Sequence, residues 1–370
     1  MSKRLVICCD GTWNTPDQAA EGRPCPTNVT KVALEVAPKG GDGWEQCVYY
    51  LRGVGTARGE RIRGGAFGVG LSRNVKEAYR TIVDNYDPGD ELFFFGFSRG
   101  AFTARSTVGF VRNCGVLTRQ HASRVDEAYE LYRDRGAHPR GTESELFRRS
   151  YSHDPDITFI GVWDTVGALG IPVRGLGWLN KRWAFHDTKL SSKVKNAFHA
   201  LAIDEKRGPF QPTLWEPHDG DVHPPDQRLE QVWFSGVHCG VGGGYDDTSL
   251  SDIALLWMVQ RAQECGLAFN PDAFPPLPPG DPPDDNRPRL APRYDGPLRE
   301  SRTGLYRASL EHPRRIGEGH PRTESVASTA VLRHDRLPSY RPKGLSAYLD
   351  RRGRRTDLDP DFTSRGFDCP

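Results

Sequence analysis

The sequence predicts an α/β fold, a doubly wound and mostly parallel sheet with helices on both faces, and three observations predict it. Apolar runs of strand length recur at residues 5–9, 46–51, 92–95, 157–163 and 229–235, each too short for a helix and bounded by turn residues. Stretches with helical spacing lie between and after them, at 28–37, 71–86, 101–111 and 251–262, which is the alternation of a sheet wound by crossover helices. Two of the runs end directly in glycine-containing polar turns, Asp10-Gly11-Thr12 and Gly96-Phe97-Ser98-Arg99-Gly100, and in an open parallel sheet the carboxyl ends of the strands are where ligands bind.

Bulk composition narrows the class. A chain of 370 residues with 36% hydrophobic and 26% charged residues is long enough for a large core, and none of its apolar runs approaches the roughly 20 residues of a membrane helix. Lys+Arg 50 against Asp+Glu 48 gives a net charge of +2 and no field for nucleic acid. The eight cysteines include no C-x-x-C pair and read as reduced thiols, neither a zinc site nor a disulfide framework. Only five apolar residues precede Asp10, too few for a signal-peptide core, so a cytoplasmic location is expected.

Taken in order, the first strand delivers Asp10-Gly11-Thr12-Trp13-Asn14. The Gly11 and Thr12 amides are candidates for half of an oxyanion hole; the loop reads equally well as a turn in which Asp10 and Asn14 bond their own backbone. A helix at 28–37 and a strand at 46–51 follow. The glycine-rich connection at 53–70 has no Gly-Lys-Ser/Thr after it, so it reads as a rim loop and not a phosphate-binding loop. Val75, Ala78, Tyr79, Ile82 and Val83 put one apolar face on the helix at 71–86, closed by Asp87-Pro88-Gly89-Asp90.

The buried run 92–95 then enters a full G-x-S-x-G turn and a helix, the context of a nucleophile elbow with Ser98 at its tip and the Arg99 amide as oxyanion donor. The same glycines would also serve an ordinary strand-to-helix turn. The polar stretch 115–153 is expected as helices over the active edge, where a lid would sit. Past the strand at 157–163, Asp164 is a candidate for the acid that orients a histidine, or else a turn cap. Residues 193–204 read as helical; His199 there reads as a packed histidine, and Asp204 is the rival acid.

After the strand at 229–235 comes Gly236-Val237-His238-Cys239-Gly240-Val241-Gly242-Gly243-Gly244, a glycine-dense loop that gives His238 free approach to the elbow as general base. Ser98, Asp164 and His238 stand in the chain order of α/β-hydrolases. A Pro- and Asp-rich crossing segment at 271–297 separates a catalytic unit, 1–270, from an Arg-rich extension, 271–370, packed on the same domain; 325–332 is the only helix expected in the tail.

With these residues in place, the chain resembles a bacterial and fungal family of α/β-hydrolase-like domains that includes the first class of type VI secretion lipase effectors. The matching pieces are residues 4–14 (RLVICCDGTWN), 52–56 (RGVGT), 95–105 (FGFSRGAFTAR), 161–166 (GVWDTV), 199–205 (HALAIDE) and 233–245, with Glu324-Ser325-Val326 and Tyr340-Arg341-Pro342 late in the chain. The family's histidine loop often reads His-Ser-Asp-Val-Gly-Gly, where this chain has His238-Cys239-Gly240-Val241-Gly242-Gly243. The resemblance implies Ser98 as nucleophile, His238 as base, Asp164 as orienting acid and a lipid or phospholipid acyl ester as substrate. It also implies delivery to another cell without a signal peptide, and the effectors carry an added membrane-binding region that this shorter chain is expected to lack.

The expectation is therefore a serine ester hydrolase, with no metal or cofactor and with peripheral membrane contact at most. Two alternatives stay open: a hydrolase-fold binding or effector module without turnover, and a metal-dependent phosphohydrolase using Asp10, Asp164, Asp204 and His238.

Overall fold

Strand β3 (Glu91–Phe97) shows how the sheet is buried: Phe93, Phe95 and Phe97 face one side of it, Leu92 and Phe94 the other, and all are at most 1% exposed. A strand covered on both faces has no polar side, which is why its sequence is a continuous apolar run. In the computed structural model, which describes residues 2–11, 19–20, 23–53, 66–134, 136, 138–167, 189–216, 226–274, 290–308, 310–319 and 322–352, β3 lies near the middle of a seven-stranded sheet.

The other strands are β1 (Lys3–Cys9), β2 (Glu45–Leu51), β4 (Ile157–Trp163), β5 (Val194–Ala202), β6 (Arg228–Phe234) and β7 (Glu324–Val326). Their order is β7-β6-β5-β4-β3-β1-β2, and every neighbouring pair is parallel. The winding reverses between β1 and β3: β2 lies outside β1 on one side, and all later strands add on the other. That reversal is the topological switch point, where a crevice opens beyond the strand ends.

Helices α1 (Asn28–Glu35), α2 (Ala66–Asn85), α3 (Arg99–Cys114), α4 (Val125–Arg133), α5 (Thr142–Tyr151), α6 (His238–Gly242), α7 (Ser249–Glu264), α8 (Ser328–Arg336) and α9 (Lys343–Arg352) complete the layers. Val29 and Val32 of α1 and Ile253, Ala254 and Met258 of α7 cover the Phe95 face. Val75, Tyr79 and Ile82 of α2 and Ala101, Val108 and Phe110 of α3 cover the Phe94 face. Helices on both faces of a parallel sheet give the doubly wound, α/β-hydrolase-like fold expected.

Four expectations change. Residues 194–202 are strand β5 and not a helix: Ala197, Phe198, His199, Ala200, Leu201 and Ala202 are all buried, and a run buried all round carries no periodicity to separate the two. The segment 325–332 divides into β7, paired with β6, and α8. A further helix, α9, follows, and its Leu345 and Tyr348 join the core, as does Ile316. The helices within 115–153, expected at the active edge, pack on α3: Tyr132 stacks on Phe110, and Ser144 and Arg148 bond Asn113, at the end of α3 opposite Ser98. Thr12 and the rest of 12–18, residues 54–65 of the glycine-rich connection, 275–289 of the crossing segment and 353–370 lie outside the described residues.

Candidate active site

The elbow is built by close approach. A Cβ on Gly96 would lie 2.6 Å from the Ala101 Cα, and one on Gly100 would meet the carbonyl oxygens of Cys9 and Asp10. Only glycine lets β1, β3 and α3 converge so closely. Between them Ser98 adopts φ 58 and ψ −119, a left-handed conformation that costs a side-chain-bearing residue about 1–3 kcal/mol and that its surroundings must hold. Part of that hold is the Ser98 N–H, which donates to the Trp163 carbonyl at 3.0 Å across the β3–β4 pair.

Three sequence candidates come together at the carboxyl ends of these strands. Ser98 Oγ lies 2.8 Å from His238 Nε2, and His238 Nδ1 lies 2.6 Å from Asp164 Oδ2. Asp164 is fully buried, and Ser98 and His238 are 5% and 4% exposed. Burial pushes the Asp164 carboxyl upward, but the Arg314 guanidinium, the His238 ring and the Ala202 N–H outweigh it and hold it down at about 2. An ionised carboxylate can only accept, so His238 Nδ1 donates to it. The Nε2 lone pair is thereby left facing Ser98, whose hydroxyl donates to it.

Strand ends set each partner. Asp164 follows β4, has φ 36, and donates its N–H to Ala200 O at 2.8 Å; its Oδ1 accepts the Ala202 N–H at 3.1 Å, both on β5. His238 is the first residue of the short helix α6 and not part of an open loop. Its ring packs against Phe97 and, edge-on, against Phe210 at 4.7 and 5.0 Å. Its backbone N–H donates to Glu205 Oε2 at 3.3 Å. Cβ atoms on Gly242 would collide with the Phe97 ring, so the glycines serve the approach of α6 to β3.

The remaining candidates are placed elsewhere. Asp204 stands past β5 and accepts from Gly236 N–H at 2.8 Å and Tyr340 O–H at 2.9 Å; it holds the turn before His238 without touching the imidazole. Burial pushes its carboxyl up to about 6, against the pull of these bonds. His199 is a packed histidine of β5 whose Nε2 accepts the Thr165 N–H at 3.1 Å; burial, and after it the charge of Arg105, drive its ring down to about 3, so it stays neutral. Asp10 accepts from Thr27, Thr30, Tyr50 and the Gly11 N–H, the last at 2.6 Å, and burial raises its carboxyl despite these bonds. The Gly11 amide is thus committed within its own turn.

Arg99 opens α3 directly after Ser98. Burial lowers its guanidinium to about 10. Among the described residues no group of three His, Cys, Asp or Glu side chains is arranged to hold a metal ion, and Asp10, Asp164, Asp204 and His238 do not form such a set.

Sequence reasoning missed Arg314 and Glu205. Glu205 is fully buried and accepts from Arg207, Ser301 and the His238 backbone. Burial opposes its charge, but Arg207 and His238 keep its carboxyl below the ordinary value. Two adjacent acids closing an apolar run, Asp204 and Glu205, were the available signal; Arg314 offered none.

A strained serine elbow at the switch point of a doubly wound sheet defines an α/β-hydrolase-fold domain. The chain belongs to the family described as T6SS, phospholipase effector Tle1-like, catalytic domain, whose model matches residues 3–261.

An uncharacterised protein of Saccharomyces cerevisiae is 28% identical over 240 residues, covering 58% of this chain and 33% of that protein. An uncharacterised protein from Pseudomonas aeruginosa of known structure is 18% identical, covers 73% of this chain and 46% of that one, and superposes with a TM-score of 0.45. A putative carboxylesterase of known structure from Lactobacillus plantarum is 14% identical, covers 72% of this chain and 87% of that one, and has a TM-score of 0.31. The chain thus spans about a third of the yeast relative and under half of the Pseudomonas one.

Proposed function

We propose that this chain is a serine hydrolase that cleaves carboxylic acyl esters of lipids, phospholipids foremost, through an acyl-enzyme. The observation that carries the reading is the unbroken hydrogen-bonded series from Ser98 Oγ through His238 to the ionised, buried Asp164.

In this mechanism Ser98 Oγ attacks the ester carbonyl as His238 Nε2 takes its proton, and Asp164 stabilises the imidazolium that forms. The developing oxyanion is held by the backbone N–H of Arg99 at the start of α3, where helix amides are unsatisfied within the helix and the dipole favours negative charge. The Gly11 amide joins it by exchanging its bond to Asp10, and Thr12 is assigned the same role by sequence. His238 returns the proton to the leaving alcohol, and water, activated by the same imidazole, releases the acid.

Phe210 and Tyr306, with Arg207 stacked on the Phe210 ring at 3.5 Å, form an aromatic wall beside His238 suited to an acyl chain. No helix among the described residues is long and apolar enough to cross a membrane; peripheral contact with a bilayer substrate is part of the proposal. Membership of an effector family supports delivery by a secretion system.

The test is hydrolysis of p-nitrophenyl esters of graded length and of phospholipid vesicles. Ser98→Ala is expected to lose on the order of 10⁶ in kcat; a Ser98→Ala protein that keeps its rate refutes the reading.

A further inference from the structure

Asp164 Oδ2 accepts two hydrogen bonds at once, from His238 Nδ1 at 2.6 Å and from Arg314 Nη2 at 2.9 Å, while Oδ1 takes the Ala202 N–H. We infer that Arg314 is a positioning residue of the catalytic acid, so that the working site is completed by chain beyond residue 261, where the family match ends. The inference rests on the serine-hydrolase reading above.

Geometry carries it. Arg314 lies 150 residues beyond Asp164, yet its guanidinium is fully buried against it. Its Nε donates to the Glu205 carbonyl at 3.3 Å, and Glu205 Oε2 accepts the His238 backbone N–H, so one arginine touches both the acid and the residue that holds the base. The segment carrying it is strapped along 205–208: His312 N–H donates to Lys206 O at 2.9 Å, and Arg207 and Glu311 pair through their backbones in an isolated antiparallel β-bridge.

Arg314 is a poor device for stability alone. Its Nη1 is buried with no hydrogen-bond partner among the described residues, and buried ion pairs can often be replaced by apolar side chains at no loss. An apolar pair cannot keep Asp164 ionised. Three donors fix the plane of the carboxylate, and the positive charge of Arg314 is the leading influence against its burial. Among the described residues the titratable groups acting on Asp164 include His238 and Cys239 of α6, His199 of β5 and Arg314; His199 is neutral, whereas Arg314 is a permanent cation in direct contact with the carboxylate. If the acid were protonated, the imidazole would lose the tautomer that leaves Nε2 open to Ser98.

The experiment measures kcat, KM and the pH profile of kcat/KM on p-nitrophenyl butyrate for the full chain and for Arg314→Gln, Arg314→Lys, Asp164→Asn and the double variant Asp164→Asn/Arg314→Gln. Arg314→Gln is expected to lose about 10- to 100-fold in kcat with KM within about twofold, and its acid limb is expected to move up by about one pH unit or more. Arg314→Lys restores the limb, and in the Asp164→Asn background Arg314→Gln costs no further rate.

A folded Arg314→Gln with the wild-type limb and kcat overturns the inference, as do losses that add in the double variant. Should Arg314→Gln not fold, Asp164→Asn/Arg314→Met must fold, because the lone buried carboxylate is then the cause; failure of that pair as well makes Arg314 a scaffold residue and overturns the inference. Activity surviving Ser98→Ala refutes the hydrolase reading, whereas a dead Ser98→Ala beside a wild-type Arg314→Gln refutes only the role of the arginine.

Discussion

Asp164, the sequence's candidate for the orienting acid, and Asp204, its rival, end adjacent strands and are both buried, yet their surroundings drive them in opposite directions. Asp164 meets an arginine and a histidine and is held down at about 2; Asp204 meets a backbone amide and a tyrosine hydroxyl and is pushed up to about 6. At Asp204 the bonds from neutral donors do not outweigh burial, whereas at Asp164 a cation in direct contact, with the His238 ring and the Ala202 N–H, does. In the proposed mechanism Asp164 must stay charged while a proton moves past it, and the first environment suits that role. An acid that fixes a turn can live in the second.

The largest expected break in this comparison is Asp164→Asn. The amide keeps the shape but lets Nδ1 act as acceptor, and kcat is expected to fall about 10⁴-fold with KM little changed. Asp204→Asn, measured in the same assay, is expected to lose less than about tenfold, since it acts on His238 only through the Gly236 turn. Equal losses in the two variants would erase the distinction.

Stability against pH sharpens it next. Because the folded-state value of Asp204 lies above its ordinary 3.8, its contribution is full at pH below about 4 and is lost as pH rises through about 6. Asp164, held below its ordinary value, contributes above about pH 4 and loses that contribution as pH falls through about 2. Urea unfolding of wild type and Asp204→Asn between pH 4 and 6 is expected to diverge by on the order of 2 kcal/mol, with wild type the one that weakens toward pH 6. A constant difference across that range contradicts the raised carboxyl. The smallest effect is expected from Tyr340→Phe, which removes one donor to Asp204: about 1–2 kcal/mol of stability by urea unfolding, with kcat within about twofold.

What the sequence revealed divides along the same line. Ser98 was legible because its signals are local, an apolar strand, two glycines and a helix within some twenty residues. His238 was legible because glycines surround it, although the first turn of α6 was not. Strand β5 was misread since burial on every side removes the alternation that marks a strand, and its alanines suit a helix equally well. The residues alone left Asp164 and Asp204 both open, and the contact that separates their surroundings comes from Arg314, one of 50 basic residues, brought back from far along the chain. Local geometry is written locally; the electrostatics that assign roles to two like acids are written in contacts between distant segments.

The most direct test of the account is to treat the full-length protein with a fluorophosphonate and map the adduct by peptide mass spectrometry. The account predicts a single phosphonylated site at Ser98, formed rapidly in wild type and Asp204→Asn and slowly in Asp164→Asn. Labelling at another residue, or none in a protein that hydrolyses esters, contradicts it.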